Sequence, residues 1–263
     1  MKWLALAIAC ALCSCGTTRY GSPWGKRATL APSGERLWSA ARNAALDPFV
    51  WQPLAAAAVL QIDDWDGDVS DWARRETPVF GSTNRAENAS DDFRGASQHA
   101  WLLSALLVPS DDELQPWARD KFQGYVVQWS ATYVASELTS LGKSGFGRQR
   151  PDNSDDRSLP SGHASAAFAY TTLARRNVDA MNVPEAARVG LDIGLVGLSA
   201  GSAWARVEAG KHYPSDVLVG AALGAFVARF VDDAFLDVQG GARLTAFVDP
   251  VESAWAVGVS WSF

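Results

Sequence analysis

Cysteine, histidine and lysine are all scarce in this chain of 263 residues. The three cysteines lie within the first fifteen residues, so the rest of the chain cannot form an internal disulfide bond. No group of histidines, cysteines and carboxylates has the spacing of metal ligands, and we expect neither a metal nor another cofactor. The net charge of −6 supplies no basic field, which argues against nucleic acid as a partner.

Long apolar runs are missing as well. The best candidates for a membrane-spanning helix are interrupted by Asp192 and Arg229, so we predict none in the folded domain. The apolar run Trp3–Leu12 follows Lys2 and is too short to cross a bilayer. Such a run is typical of a secretion signal.

The residues around Cys15 predict how the chain is attached to the cell. Leu12-Cys13-Ser14-Cys15 resembles a bacterial lipoprotein cleavage box, with Cys15 as the lipid-bearing residue and Cys10 as a weaker candidate. A plain cleaved signal peptide is the alternative. Gly16 follows the cysteine in place of Asp, which in the bacterial pattern indicates the outer membrane. We expect a periplasm-facing outer-membrane lipoprotein, with residues 1–15 as its signal peptide and lipoprotein box.

Three further regions follow. Residues 16–33 are rich in Gly, Pro, Ser and Thr without periodicity and predict a tether. Residues 34–236 carry helix caps and apolar residues at helical spacing, which predicts an all-α helical bundle. Residues 237–263 alternate like two strands around Asp249-Pro250, which predicts a small C-terminal β-hairpin packed on the bundle. An apolar hairpin face that touches the membrane or a partner subunit is the alternative.

Two other stretches have local interpretations. The acidic run Asp63–Asp68 fails as a calcium-binding loop because Ala73 stands where a bidentate Glu belongs, and it predicts a solvated acidic turn. Glycine and alanine crowd Gly190–Ala205 and Val219–Ala228, which predicts close packing of two helices.

The chemistry of the chain is concentrated in three short frames. The first is Lys143-x6-Arg150-Pro151, and the third begins with Arg206. A guanidinium forms two parallel charge-assisted hydrogen bonds with a phosphate group, and an ammonium adds a point charge. Lys143, Arg150 and Arg206 are therefore expected to hold a phosphate group and to stabilise the charge of its transition state.

The second frame is Pro160-Ser161-Gly162-His163. Ser161 is a good N-cap for the alanine-rich helix behind it, and a helix N-terminus is a ready anion site. Gly162 lets the backbone approach a ligand closely. We expect the Ser161 hydroxyl to donate to a phosphate oxygen, with His163 at the mouth of the same pocket.

The third frame, Arg206-x5-His212-x3-Asp216, predicts a nucleophile. Asp216 lies four residues after His212, so both can lie on one side of the turn that opens the next helix. A carboxylate bonded to one ring nitrogen leaves the other free to attack. We expect His212 to attack phosphorus, Asp216 to orient it, and His163 to protonate the leaving oxygen.

The two imidazoles then need opposite charge states, neutral for attack and protonated for donation. Asp216 should raise the pKa of His212 while the neighbouring cations should lower it, and the sequence leaves that balance open. Bound phosphate should raise the pKa of His163. The third histidine, His99, lies in no such frame and is expected to be an ordinary helix residue with a satisfied hydrogen bond.

Together the frames resemble the signature of the type-2 phosphatidic acid phosphatase superfamily, which includes bacterial non-specific acid phosphatases, lipid phosphate phosphatases and vanadium haloperoxidases. The resemblance covers about residues 120–235. It implies the helical bundle of that family, no metal, and a phosphohistidine on His212, with His163 as the acid and Asp216 as the partner of the nucleophile. It also implies phosphate binding by five residues: Lys143, Arg150, Ser161, Gly162 and Arg206.

Two features depart from the family pattern. The third frame begins Ala205-Arg206 where the family usually has Ser-Arg, so one hydroxyl is missing while the charge remains. The spacer Asp152–Leu159 is short and polar, which leaves no room for a cap domain and predicts an open pocket.

The expected function is therefore hydrolysis of phosphate monoesters or pyrophosphates, on small molecules or on lipids. The anchor and the open pocket favour lipid-linked substrates. Two alternatives remain. A vanadate-dependent haloperoxidase is disfavoured by the small size and the missing cap, and a non-catalytic phosphate-binding envelope protein is disfavoured by the full set of catalytic side chains.

Overall fold

The computed structural model describes residues 14–237 and two strands at 243–249 and 254–260. The first of these parts contains eight α-helices: α1 (Gly34–Ala45), α2 (Pro48–Val59), α3 (Trp65–Glu76), α4 (Thr83–Leu107), α5 (Leu114–Phe146), α6 (Gly162–Ala180), α7 (Glu185–Glu208) and α8 (Pro214–Val231). A 3₁₀ turn at Ile62–Asp64 precedes α3, and a π-helical turn at Asp232–Leu236 follows α8. The predicted signal run Trp3–Leu12 lies outside the described residues.

Local sequence explains where several helices begin. Ser33 Oγ accepts a hydrogen bond from the backbone N–H of Arg36 and caps α1 as predicted. Asp47 caps α2 in the same way, ahead of Pro48 in the first turn. Ser82 caps α4. Each side chain satisfies one of the N–H groups that the first turn of a helix leaves without an internal partner.

Helix α6 lies at the centre of the bundle, where it packs against α4, α7 and α8. Most of its buried residues are small, so the neighbouring helices approach closely. Trp101 of α4 fills space beside it, fully buried and stacked on Tyr170 with the ring centroids 5.5 Å apart. The predicted all-α bundle is confirmed.

Two glycines set the distance between α6 and α8. A Cβ at Gly220 would lie 2.5 Å from the carbonyl oxygen of Ser161, and one at Gly224 would lie 2.0 Å from that of Ser165. Neither contact is sterically allowed. The predicted role of small residues in Val219–Ala228 is therefore confirmed.

The same prediction is wrong for most of Gly190–Ala205. Gly201 packs against the ring of Phe93, but the other three glycines of this stretch have open space where a side chain would be: Gly190, Gly194 and Gly197. Composition alone did not distinguish a packed helix face from an exposed one.

Residues 16–33 lie against the bundle, in contrast to the predicted tether. The indole of Trp24 is 2 % exposed and lies on Gly124 of α5, where a Cβ would be 2.2 Å from the ring. The hydroxyl of Tyr20 donates a hydrogen bond to Asp179. The composition is that of a linker, but these two aromatic residues bury enough surface to hold the segment in place.

Helix α5 places its large apolar residues on the outside. Five of its large apolar residues at helical spacing are all exposed: Phe122, Val126, Trp129, Tyr133 and Leu138. Smaller residues such as Ala131 and Ala135 pack inward. Despite this apolar face, no helix within residues 14–237 is long and apolar enough to span a bilayer.

The strands β1 (Arg243–Asp249) and β2 (Ala254–Ser260) pair antiparallel, with Arg243 opposite Ser260. The fold class is all-α, as the helices α1 to α8 determine. The packing of a C-terminal hairpin on the bundle stays a prediction. Residues 250–253, which connect the two strands and include Pro250, lie outside the described residues.

The contrast between packed and exposed glycines gives a first prediction. Gly224→Ala should destabilise the protein by roughly 2 kcal/mol, because its methyl group meets the Ser165 carbonyl of α6. The control Gly197→Ala adds a methyl group in open space and should stabilise α7 by up to about 1 kcal/mol. Urea unfolding of both variants measures this, and equal effects would contradict the close packing of α6 and α8.

Candidate active site

The C-terminal end of α5 lies next to the start of α6. Gly147 takes a left-handed conformation (φ 56°) that ends α5 and leads into the loop of the first frame. A Cβ added to Gly162 would lie 3.9 Å from Nζ of Lys143. Burial, followed by the charges of Arg150 and Arg157, lowers the pKa of Lys143 to about 8. The first and second frames therefore meet in space.

The turn before α6 is bonded to the third frame through the backbone. The N–H of Ser161 donates to the carbonyl oxygen of Asp216 at 3.0 Å. Ser161 Oγ caps α6 by accepting from the N–H of Ala164 at 3.5 Å, and its side chain is fully buried. The N-cap role is confirmed, while its contact with phosphate stays a prediction.

His212 is 1 % exposed in the turn between α7 and α8. Its Nδ1 lies 2.7 Å from the backbone carbonyl oxygen of Ser158, so Nδ1 carries the proton and donates it. This hydrogen bond leaves the lone pair on Nε2. Nε2 lies 3.4 Å from Nη1 of Arg150. The nitrogen expected to attack phosphorus is thus beside a predicted phosphate-binding cation.

The charge state of His212 follows from its surroundings. Burial lowers its pKa well below the usual value, and three cations lower it further: Arg206, Arg150 and Lys143. The Ser158 carbonyl acts in the opposite direction. The balance that the sequence left open therefore favours a neutral ring, the state that a nucleophile needs.

Asp216 does not hold His212 directly. Its Oδ2 lies 4.0 Å from Nδ1 of His212, which is too far for a hydrogen bond. The carboxylate instead accepts from the hydroxyl of Ser158 at 2.5 Å and from the N–H of Tyr213 at 2.9 Å. The predicted direct contact is wrong because the Ser158 carbonyl occupies that ring nitrogen. Asp216 instead holds Ser158, whose carbonyl oxygen accepts the hydrogen bond from the ring.

Arg148 bonds two buried carboxylates from distant parts of the chain. Its guanidinium donates to Asp216 at 2.8 Å and to Asp66 at 2.7 Å, and it stacks on Tyr213 at 4.0 Å from the ring centroid. Asp66 also accepts from the N–H of Ser215 at 2.7 Å. Because Asp66 is 2 % exposed, the predicted solvated turn is wrong for this residue. It joins the start of α3 to the first turn of α8.

Arg206, in the last turn of α7, has part of its guanidinium unpaired. Nη1 lies 3.3 Å from Ser90 Oγ and 3.9 Å from the carboxylate of Glu87. Its Nε is buried and has no hydrogen-bond partner in the described part of the chain. An unpaired buried donor is costly, and a phosphate oxygen would supply the missing acceptor. Ala205 is fully buried, so the hydroxyl that the family usually has there would lie in the packed interior.

His163 is bonded to a carboxylate that the sequence did not predict. Its Nε2 lies 2.8 Å from Oδ1 of Asp91, which lies on α4. Burial is the largest effect on the pKa of His163 and lowers it, and the charge of Arg206 acts in the same direction. The hydrogen bond to Asp91 raises it. Without a ligand, the lowering effects prevail.

The structure thus gathers both predicted histidines and the three predicted cations in one place. Four supporting residues were not predicted: Ser158, Arg148, Asp66 and Asp91. Arg148 lies inside the first frame and Ser158 two residues before the second, so proximity in sequence was a usable signal for them. The two aspartates are brought in by α3 and α4, and no local pattern marks them. Within residues 14–237, no three histidine, cysteine or carboxylate side chains are grouped to hold a metal ion.

Comparison with known proteins identifies relatives of this chain. The family model of the PAP2 superfamily matches residues 113–236, from the start of α5 to the π-helical turn. A decaprenylphosphoryl-5-phosphoribose phosphatase of Mycobacterium tuberculosis is 34% identical over 143 aligned residues, and the match covers 50% of this chain and 70% of that protein. The chain belongs to the PAP2 superfamily. Its named relatives are phosphatases, in agreement with the predicted enzyme class, a phosphoric monoester hydrolase.

Two further matches differ in coverage. The lipid A 1-phosphatase of Porphyromonas gingivalis is 36% identical over 117 aligned residues, and the match covers 41% of this chain and only 25% of that protein. A transmembrane PAP2-type phosphatidylglycerolphosphate phosphatase from Bacillus subtilis has a TM-score of 0.51 at 16% identity, over 70% of this chain and 92% of that one. The second likeness shows that the helical fold is shared.

The Arg148 contacts give a second prediction. Arg148→Met leaves the carboxylates of Asp66 and Asp216 buried without their cation, and should lower the free energy of unfolding by about 3 kcal/mol. Arg75→Met removes an exposed guanidinium from α3 and is the matched control, with an expected effect under about 0.5 kcal/mol. Thermal unfolding compares the two. Similar losses in both variants would show that Arg148 is not needed to hold the carboxylates.

Proposed function

We propose that this PAP2 protein hydrolyses phosphate groups carried by lipids, through a phosphohistidine formed on His212. The observation that carries the proposal is the state of that ring. It is buried and neutral, its tautomer is determined by the Ser158 carbonyl, and its unprotonated nitrogen lies 3.4 Å from Nη1 of Arg150. A ring in this state is a prepared nucleophile beside a site for an anion.

The proposed reaction has two halves. The cations Lys143, Arg150 and Arg206 bind the phosphate group and stabilise the charge of the transition state. Nε2 of His212 attacks phosphorus, the bond to the leaving oxygen breaks, and that oxygen takes a proton from His163. Water then attacks the phosphohistidine and gives a proton to His163, which releases inorganic phosphate and restores both rings.

The charges around the two histidines are consistent with these two roles. His212 lies among cations and stays neutral. His163 also has a lowered pKa in the unliganded protein, but a bound phosphate dianion favours its protonated form. Substrate binding would therefore protonate the acid while the cations keep the nucleophile neutral.

The names of the relatives support a lipid-linked substrate. The chain is similar to phosphatases of lipid A and of decaprenylphosphoryl-5-phosphoribose, and both names describe phosphorylated lipids or lipid-linked compounds. The fold resembles that of a phosphatidylglycerolphosphate phosphatase. These likenesses favour lipid-linked monoesters over small soluble ones.

We also propose that Cys15 anchors the protein in the cell envelope, facing the periplasm, as an outer-membrane lipoprotein. Cys15 is exposed. At the next residue, Gly16, an added Cβ would lie 3.7 Å from Oδ1 of Asp112, two residues ahead of α5. Lys143 lies near the other end of that helix. The exposed apolar side of α5 therefore connects the proposed anchor with the phosphate site, as suits an enzyme whose substrate lies in a membrane.

Replacement of the nucleophile tests the reaction. His212→Ala should lower turnover of lipid-linked and soluble phosphates by roughly 10³-fold or more, in the presence of EDTA, because it removes the proposed nucleophile. His99→Ala removes an exposed histidine from α4 and should leave turnover unchanged. Phosphate release assays measure both. Retained activity in His212→Ala would exclude the phosphohistidine.

Metabolic labelling with a fatty acid tests the anchor. Wild-type protein should incorporate the label and fractionate with membranes, and Cys15→Ser should do neither. The control is Ser14→Ala, which keeps the cysteine. Equal labelling of wild type and Cys15→Ser would show that Cys15 is not the lipidated residue.

A further inference from the structure

We propose that Asp91 is a positioning residue for the acid of the reaction: it holds one ring nitrogen of His163 and leaves the other directed to the leaving oxygen. The inference rests on the proposed function for its catalytic consequence. It concerns a residue on α4, outside the three frames and outside the matched family region 113–236.

The geometry joins two helices that are distant in sequence. His163 lies in the first turn of α6 and Asp91 in the first half of α4, and packing of α4 on α6 brings Nε2 within 2.8 Å of Oδ1. The imidazole is 26 % exposed and the carboxylate 56 %. The ring is therefore partly shielded from solvent, and the carboxylate reaches it from a more exposed position. Asp91 is placed to hold the ring without occupying the phosphate site.

The charges around His163 show why it needs such a partner. From α4 it faces Asp91 and Arg94, and from α7 it faces Arg206. On the α5 side, Lys143 lies beside the neighbouring Gly162. Of these groups only Asp91 favours the protonated ring. Burial and the two arginines favour the neutral ring, which cannot protonate a leaving group.

The pairing is mutual. The hydrogen bond from His163 is the largest influence on the pKa of Asp91 and lowers it. Arg94, one turn further along α4, lies 3.4 Å from the same oxygen and holds the carboxylate in its ionised form. Asp91 is therefore a fixed anion beside the acid.

The proton transfer balances as follows. In the protonated ring, Nε2–H donates to Asp91 and Nδ1–H points to the oxygen that leaves phosphorus. When the P–O bond breaks, its electron pair stays on that oxygen, which takes the Nδ1 proton. The neutral ring keeps its Nε2–H on Asp91. The attacking water of the second half returns a proton to Nδ1.

This arrangement is the one that the sequence predicted for the other histidine. A carboxylate beside an imidazole raises its pKa and suits an acid, whereas a neutral carbonyl orients the ring with less effect on its charge. His212 has the carbonyl of Ser158, and His163 has the carboxylate of Asp91. The supports of the two rings thus match their opposite roles.

Adjacent aspartates on α4 provide a matched pair of variants. Asp91→Asn and Asp92→Asn remove the same charge from neighbouring exposed positions, and the described contacts of His163 include only the first. NMR titration of the three histidines should show the pKa of His163 lowered by about one unit in Asp91→Asn and unchanged in Asp92→Asn. This readout does not require catalysis. Equal titration of His163 in both variants would overturn the proposal.

The kinetic test uses leaving groups of different basicity. An alkoxide needs a proton as it leaves, and a nitrophenolate does not. Asp91→Asn should lower kcat for an alkyl phosphate by about tenfold or more, and for p-nitrophenyl phosphate by less than about twofold. The alkaline limb of the pH profile of Asp91→Asn should move to lower pH, because His163 then loses its proton at a lower pH. Asp91→Glu should restore most of the rate for the alkyl phosphate.

A merely structural role of Asp91 predicts a different result. Loss of packing would lower the rates of both substrates equally and would not move the pH profile, and that outcome would overturn the proposal. Failure of the proposed function has a separate signature, since His212→Ala would then remain active while the NMR titration of His163 still reports on Asp91.

Discussion

The hydrogen bond between His212 Nδ1 and the carbonyl oxygen of Ser158 is the interaction on which the rest of the site depends. Burial among cations makes the ring neutral, and this bond places the proton on Nδ1 and leaves the lone pair on Nε2. The carbonyl is itself held in place, because the hydroxyl of Ser158 bonds Asp216 and Asp216 bonds Arg148. The carboxylate and guanidinium thus support the nucleophile through the loop.

A second constraint is the close approach of α6 and α8. The Ser161 N–H reaches the Asp216 carbonyl only because Gly220 and Gly224 present no side chain to the backbone of α6. That contact joins the second frame to the third. The position of the nucleophile relative to the helix N-terminus of α6 is therefore a consequence of core packing as much as of the local sequence around His212.

Much of the fold and of the site was predictable from local signals. Helix caps such as Ser33 and Ser161 act on their own first turn, so sequence order is enough to place them. The cations and histidines of the three frames were predictable because the chemistry of a guanidinium or an imidazole belongs to the residue itself. The packing of residues 16–33 on the bundle was not predictable, because a composition typical of linkers does not show that Trp24 has a glycine on α5 to pack against.

The sequence by itself determined which groups are available: two histidines, three cations and a helical frame that carries them. Only the tertiary structure decided which carboxylate serves which histidine. Asp216 lies four residues from His212 yet bonds a serine, and Asp91 lies 72 residues from His163 yet bonds its ring. The physical reason is that hydrogen bonds form or fail over about 1 Å. Distances at that scale are set by the packing of α3, α4 and α8 around the site, which no spacing along the chain specifies.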